Sequence, residues 1–179
     1  MTDSLQKFLA TLVPVSREEV SWLGGSMRLG LDAYVTAALP PLDYITSVRA
    51  ILTTQEGRYA LLRNSDGVHI LPGGRREASE SLEATLRREL VEETGCCSIT
   101  VAHSLGFLHF HHLTAKPEDY PYPYPDFCQA VFAARGEPDP AFRTDRAEYE
   151  RSVEFVMLVE LPLALPAYQR LLAQAAAVS

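Results

Sequence analysis

The spacing of apolar positions changes along the chain. In the first forty residues Leu5, Phe8, Leu9 and Leu12 recur three and four apart, as on one face of a helix, and Pro14 ends that run. Ser16-Arg17-Glu18-Glu19 has the form of a capping box, in which a serine and an acid three residues on satisfy each other's backbone donors. Gly24-Gly25 breaks the segment, and an apolar stretch over 27–39 stops at Pro40-Pro41. The pattern predicts an N-terminal helical extension over 1–43 and a main domain over 44–179.

From residue 44 the spacing becomes that of strands. Stretches 44–53 and 58–63 are rich in β-branched and aliphatic residues, with Gln55-Glu56-Gly57 as the turn between them. Asn64-Ser65-Asp66-Gly67 predicts another turn and 68–71 a short strand. A helix is expected over 81–94, ended by Gly95. Strands follow over 98–113, 127–134 and 153–161, then a closing helix over 167–177. Strands interrupted by a few helices predict an α/β fold, a mixed sheet covered by helices.

The chain has 179 residues, of which 47% are hydrophobic and 22% charged, so it can bury a core. No apolar run reaches membrane-spanning length, and the start lacks a basic patch followed by an apolar stretch. A net charge of −7 disfavours tight binding to long nucleic acids, but says little about small phosphorylated ligands, because a bound cation reverses the local charge. Three cysteines, two of them adjacent, form no disulfide framework and no metal-binding spacing, so a cytoplasmic setting is expected.

Chemistry concentrates in 73–96, GGRREASESLEATLRRELVEETGC. On a helical wheel Glu89, Glu92 and Glu93 share an arc of about 100°. That arc overlaps the stripe of Leu82, Leu86 and Leu90, which should face the protein body. Glu80, Glu83 and Arg87 fall on the opposite, solvated side. The plain alternative is a charged face held in water by Arg87 and Arg88. Carboxylates at this spacing repel one another, however, and are costly to bury unless something positive is bound. A hard divalent cation such as Mg²⁺ supplies that charge. Leu71-Pro72-Gly73-Gly74 would by itself be a turn; before a cation-binding helix, its glycines let a phosphate approach the backbone.

Gly74, Glu80, Arg88-Glu89-Leu90, Glu92-Glu93 and Gly95-Cys96 resemble the Nudix box, G-x5-E-x7-R-E-U-x-E-E-x-G-U, where U is a bulky aliphatic residue. All seven fixed positions are filled, a chance on the order of 10⁻⁹ per starting position. Cys96 replaces the last aliphatic residue and packs as a small hydrophobe. The resemblance implies the family's α/β/α sandwich from about residue 44 onward. It also implies hydrolysis of a nucleoside diphosphate linked to another group, with Mg²⁺ or Mn²⁺. Glu89 and Glu93 would be the main metal ligands, and Glu92 a further ligand or the group that orients water. Glu80 and Arg88 would lock the loop to the helix, and Gly74 would allow the turn. The general base is open between the box and a loop before the last strand, where Glu137, Glu148 and Glu150 stand.

His109 and His111 alternate on one strand face and His112 points to the other; simple polar strand positions and contact with a phosphate or base are both open. In 116–126, KPEDYPYPYPD, alternating prolines stiffen the chain and present tyrosines, Tyr122 among them, with little entropy left to lose. A lid that stacks on a nucleobase and a rigid connection or homodimer contact are equal alternatives. Against the enzyme reading stands a Nudix-fold binding or sensor module, which commonly lacks some of the acids that this chain keeps.

Overall fold

The computed structural model describes residues 4–64, 67–77, 79–141, 150–162 and 165–177, with backbone alone at 150 and 151. Its elements in chain order are α1 (Ser4–Leu9), β1 (Ser16–Trp22), β2 (Met27–Val35), β3 (Ile45–Thr53), β4 (Tyr59–Asn64), β5 (Gly67–His69), β6 (Gly73–Arg75), α2 (Leu82–Thr94), β7 (Cys96–His112), β8 (Asp126–Pro138), β9 (Glu150–Val156) and α3 (Pro166–Ala177). They form two compact units, one of residues 1–47, 104–131 and 165–179, the other of 48–103 and 132–164.

In the first unit the expected helical extension is reduced to the short α1. The rest is a hairpin. Met27, Leu29, Leu31 and Ala33 are buried and alternate with Arg28, Gly30 and Asp32, so the apolar stretch has period two, not 3.6. Gly24 and Gly25 take positive φ at the tip, and β1 pairs with β2 antiparallel from Ser16↔Ala33 to Trp22↔Met27. The expected capping box fails for the same reason. Glu19 reaches across the hairpin to Arg28 at 2.8 Å, and Glu18 accepts from the Ala167 N–H at the start of α3. β2 continues onto β7, Leu29↔His112 to Val35↔Gly106. Leu5, Tyr34, Phe107 and Cys128 form a core there, with Tyr34 stacked on Phe107 at 4.6 Å and Phe8, Leu9 and Leu12 packed on it. Each fully buried side chain of that size contributes about 1.5–3 kcal/mol.

In the second unit the hydrogen-bonded order is β7-β8-β3-β4-β5, with β6 on β3 and β9 on β4. β4 pairs antiparallel with β5 and with β9. The helix expected over 81–94 is α2. The Ser81 hydroxyl caps it, accepting from the Ala84 N–H at 3.1 Å, and Gly95 ends it in the left-handed conformation. The short strand expected over 68–71 lies at β5. The last strand ends at Val156, ahead of a 3-10 turn, Leu158–Glu160, that takes the place of its expected end. Part of the predicted turn after Asn64 lies outside the described residues.

Candidate active site

The site grows from the contact between β3, the glycine loop and α2, all in the second unit. The Ala50 N–H donates to the Pro72 carbonyl at 2.9 Å, which lays Leu71-Pro72-Gly73-Gly74 along β3. Gly73 has φ +133°, and a Cβ there would collide with the Val48 carbonyl, so only glycine fits. Its N–H donates to Glu93 Oε2 at 2.7 Å. At Gly74 a Cβ would occupy the space of the Glu89 carboxylate. Two acids one helical turn apart therefore meet successive glycines of the loop. Glu89 is only 6% exposed, beside fully buried Leu86 and Leu90, so it lies on the inward stripe of α2.

Arg88 ties the acids together. Its Nε and Nη2 donate to the two oxygens of Glu80, both at 2.9 Å, a bidentate pair. Nη1 donates to Glu89 Oε1 at 2.7 Å and lies 3.7 Å from Glu92 Oε2, and Nη2 also reaches the Arg75 carbonyl at 3.4 Å. The wheel placed Glu80 in solvent, and the structure corrects this. α2 begins at Leu82, so Glu80 stands outside the helix and folds back onto Arg88 and the Thr85 hydroxyl. The bonds from Arg88, then that from Thr85, hold the Glu80 carboxyl down to about 2, and the same Glu80 bond raises the Arg88 guanidinium above its ordinary value. Glu83 and Arg87 do form a surface pair at 2.8 Å, although Arg87 also donates to the Ile99 carbonyl.

Among the described residues no three His, Cys, Asp or Glu side chains converge as ligands on one point. The carboxylates instead accept donors from Arg88 and Gly73. As a donor set they suit a hard dication: oxygen only, three acids within little more than one turn, one of them buried against bare backbone at Gly74.

The NUDIX domain family model matches residues 43–175. The chain belongs to the Nudix family. It is a hydrolase of the class acting on phosphoric anhydride bonds, with the α/β, mixed-sheet architecture expected from the box. Among solved structures, the Bacillus subtilis pyrophosphohydrolase BsRppH is similar over 90% of this chain and 98% of its own, with a TM-score of 0.61 and 17% identity. A NUDIX hydrolase from Nitrosomonas europaea is similar over 75% and 90%, with a TM-score of 0.54 and 19% identity. A UDP-X diphosphatase is similar over 80% and 67%, with a TM-score of 0.52 and 18% identity. At these identities the likeness is one of fold. No curated protein sequence matches the chain.

Other residues singled out in the sequence have different surroundings. Glu137 accepts from the Gln55 N–H at 2.5 Å, which ties it to the turn after β3. Glu148 and the Glu150 side chain lie outside the described residues. In the first unit Tyr122 packs edge-on against Tyr120 at 5.4 Å, and Tyr120 and Tyr124 pack against His112 at 4.9 and 5.1 Å. The alternation of the histidines holds. His109 Nε2 and His111 Nδ1 both meet Asp126 Oδ1, at 2.7 and 2.9 Å, while His112 is buried apart from them. Burial alone would raise the Asp126 carboxyl, but the two histidine bonds outweigh it and hold it below its ordinary value. Sequence reasoning missed Asp126; the signal was an acid at the start of β8, across the connecting loop from a His-x-His pair at the end of β7. It also missed Arg49, a lone arginine in an apolar strand.

Proposed function

We propose that this Nudix hydrolase cleaves the diphosphate bond of a nucleoside diphosphate linked to another group, using Mg²⁺ or Mn²⁺ held by Glu89, Glu92 and Glu93. The observation that carries the reading is the docking of Glu89 and Glu93 on successive glycines while Arg88 clamps the acids from the other side. A bound dication would neutralise the diphosphate and lower the pKa of an attacking water. The chain's own residues do the rest. Gly73 seats Glu93 through its N–H, and the sequence-based expectation that its own backbone meets the phosphate gives way to that bond. Gly74 would let a phosphate approach, Arg88 would keep the acids from splaying apart, and Glu92 would serve as a further ligand or align the water. Tyr122 would stack on the base. A small nucleotide is the partner that fits, since a charge of −7 repels long polyanions. A cytoplasmic setting belongs to the same reading, and no helix among the described residues is long and apolar enough to cross a membrane.

The test is hydrolysis of a panel of ADP-ribose, NADH, nucleoside triphosphates, oxidised nucleotides, dinucleoside polyphosphates and sugar nucleotides, with and without Mg²⁺, read as the phosphomonoester products or, from triphosphates, as pyrophosphate. Turnover that needs the metal, and that falls about 100-fold or more in Glu93→Gln with the fold intact, is the expected result; losing a metal ligand removes several kcal/mol of charge stabilisation. Silence across the panel with either metal would favour a non-catalytic binding module instead. An unchanged KM in Tyr122→Ala for every good substrate would remove the stacking role.

A further inference from the structure

Beneath the carboxylates lies a second tier of contacts. Glu93 is held by the N–H of Gly73, and that N–H belongs to the peptide whose carbonyl, on Pro72, is fixed by Ala50 of β3. The next peptide, with the Gly73 carbonyl, lies in β6 on β3 and also accepts from a side chain, Nη1 of Arg49, the neighbouring residue of β3. Between these two peptides sits a glycine at φ +133°, a conformation that glycine enters and leaves without steric cost. Backbone pairing with β3 runs on both sides of Gly73, and a half-buried guanidinium adds a side-chain hold on the carbonyl side. A guanidinium suits the task because its charge strengthens the bond to a carbonyl and its planar donors come already oriented.

We propose that Arg49 is a positioning residue for this enzyme: by holding the Gly73 carbonyl beside the β3 pairing it further restricts that glycine and so sharpens where the Gly73 N–H holds the Glu93 carboxylate. The proposal rests on the reading of Glu93 as a metal ligand. Groups that orient a ligand in this way are typically worth about 10–100-fold in metal affinity or turnover.

The experiment compares wild type with Arg49→Gln and Arg49→Lys. In metal-free protein, hydrogen exchange at the Gly73 amide followed by NMR is expected to speed up about tenfold or more in Arg49→Gln, and to recover in part in Arg49→Lys, which keeps a charged donor. Mn²⁺ titrated alone and followed by electron paramagnetic resonance should bind about 10-fold or more weakly in the glutamine variant. On the best substrate of the panel, kcat should fall by about the same factor with KM within twofold. Unchanged Gly73 exchange, or unchanged Mn²⁺ affinity in a variant that retains its fold, would overturn the proposal. A raised KM at constant kcat would also overturn it, by making Arg49 a substrate contact. If wild type neither binds Mn²⁺ nor turns over any substrate, the metal-dependent function fails on its own, while the exchange measurement still reads what Arg49 does to Gly73.

Discussion

At the scale of single residues, Gly73 and Gly74 look interchangeable in the sequence but answer to different constraints. A Cβ at Gly73 meets the backbone of Val48 and Arg49 and must also be carried at φ +133°. Neither neighbour can yield, so Gly73→Ala is expected to cost about 3 kcal/mol or more of stability. At Gly74 the nearest obstacle is the Glu89 carboxylate, the far end of a flexible side chain. Gly74→Ala should therefore cost about 1 kcal/mol, the value of a disturbed hydrogen bond, while turnover collapses because Glu89 is pushed aside. Denaturant titration beside kinetics separates the two. Equal stability losses would mean that the loop does not lie on β3 as described.

At the scale of elements, the Glu80–Arg88 pair joins the loop to α2 and makes that junction sensitive to acid. The Glu80 carboxyl is depressed from about 4.5 to about 2, chiefly by Arg88. An acid depressed on folding stabilises the folded state above its unfolded value, and that contribution disappears as pH falls through the folded value. The junction is therefore expected to hold at neutral pH and to weaken between about pH 4.5 and 2. Glu80→Gln should flatten this part of the stability–pH curve; an identical curve in the variant would mean that the pair does not contribute. The same element shows what was legible beforehand. The seven fixed positions of the box, the Ser81 cap and the Gly95 stop were readable because each demands one residue type at one place. The hairpin β1–β2 was not. Ser16 to Glu19 satisfies the local rule for a helix start, and only the alternation of Met27, Leu29, Leu31 and Ala33, completed by pairing with β7 some eighty residues away, decides for a strand. Arg49 escaped notice for a related reason: its partner is a backbone carbonyl, which leaves no trace in a pattern of side chains.

At the scale of the whole molecule, all three cysteines are free, yet they differ in reactivity. Burial pushes the Cys96 and Cys128 thiols up, Cys128 well above its ordinary value, whereas Cys97 is exposed and its thiol donates to the Glu137 carbonyl at 3.5 Å. A thiol reacts as the thiolate, so burial protects twice, by access and by protonation. Titration of native protein with a disulfide reagent should show one fast thiol, and three after denaturation. Two fast thiols in the native state would contradict the packing around Cys96 or Cys128. The melting temperature should not change when a reductant is added.

The reach of β2 along β7 bears on how the gene should be cloned. Similarity to the family begins at residue 43, which invites an expression vector starting there. Such a truncation would delete the strand that occupies one edge of β7 from Gly106 to His112, together with Leu5 and Tyr34, which cover Phe107. A bare β edge beside an uncovered aromatic ring is a template for aggregation. The shortened product should collect in inclusion bodies, whereas the 179-residue chain should not.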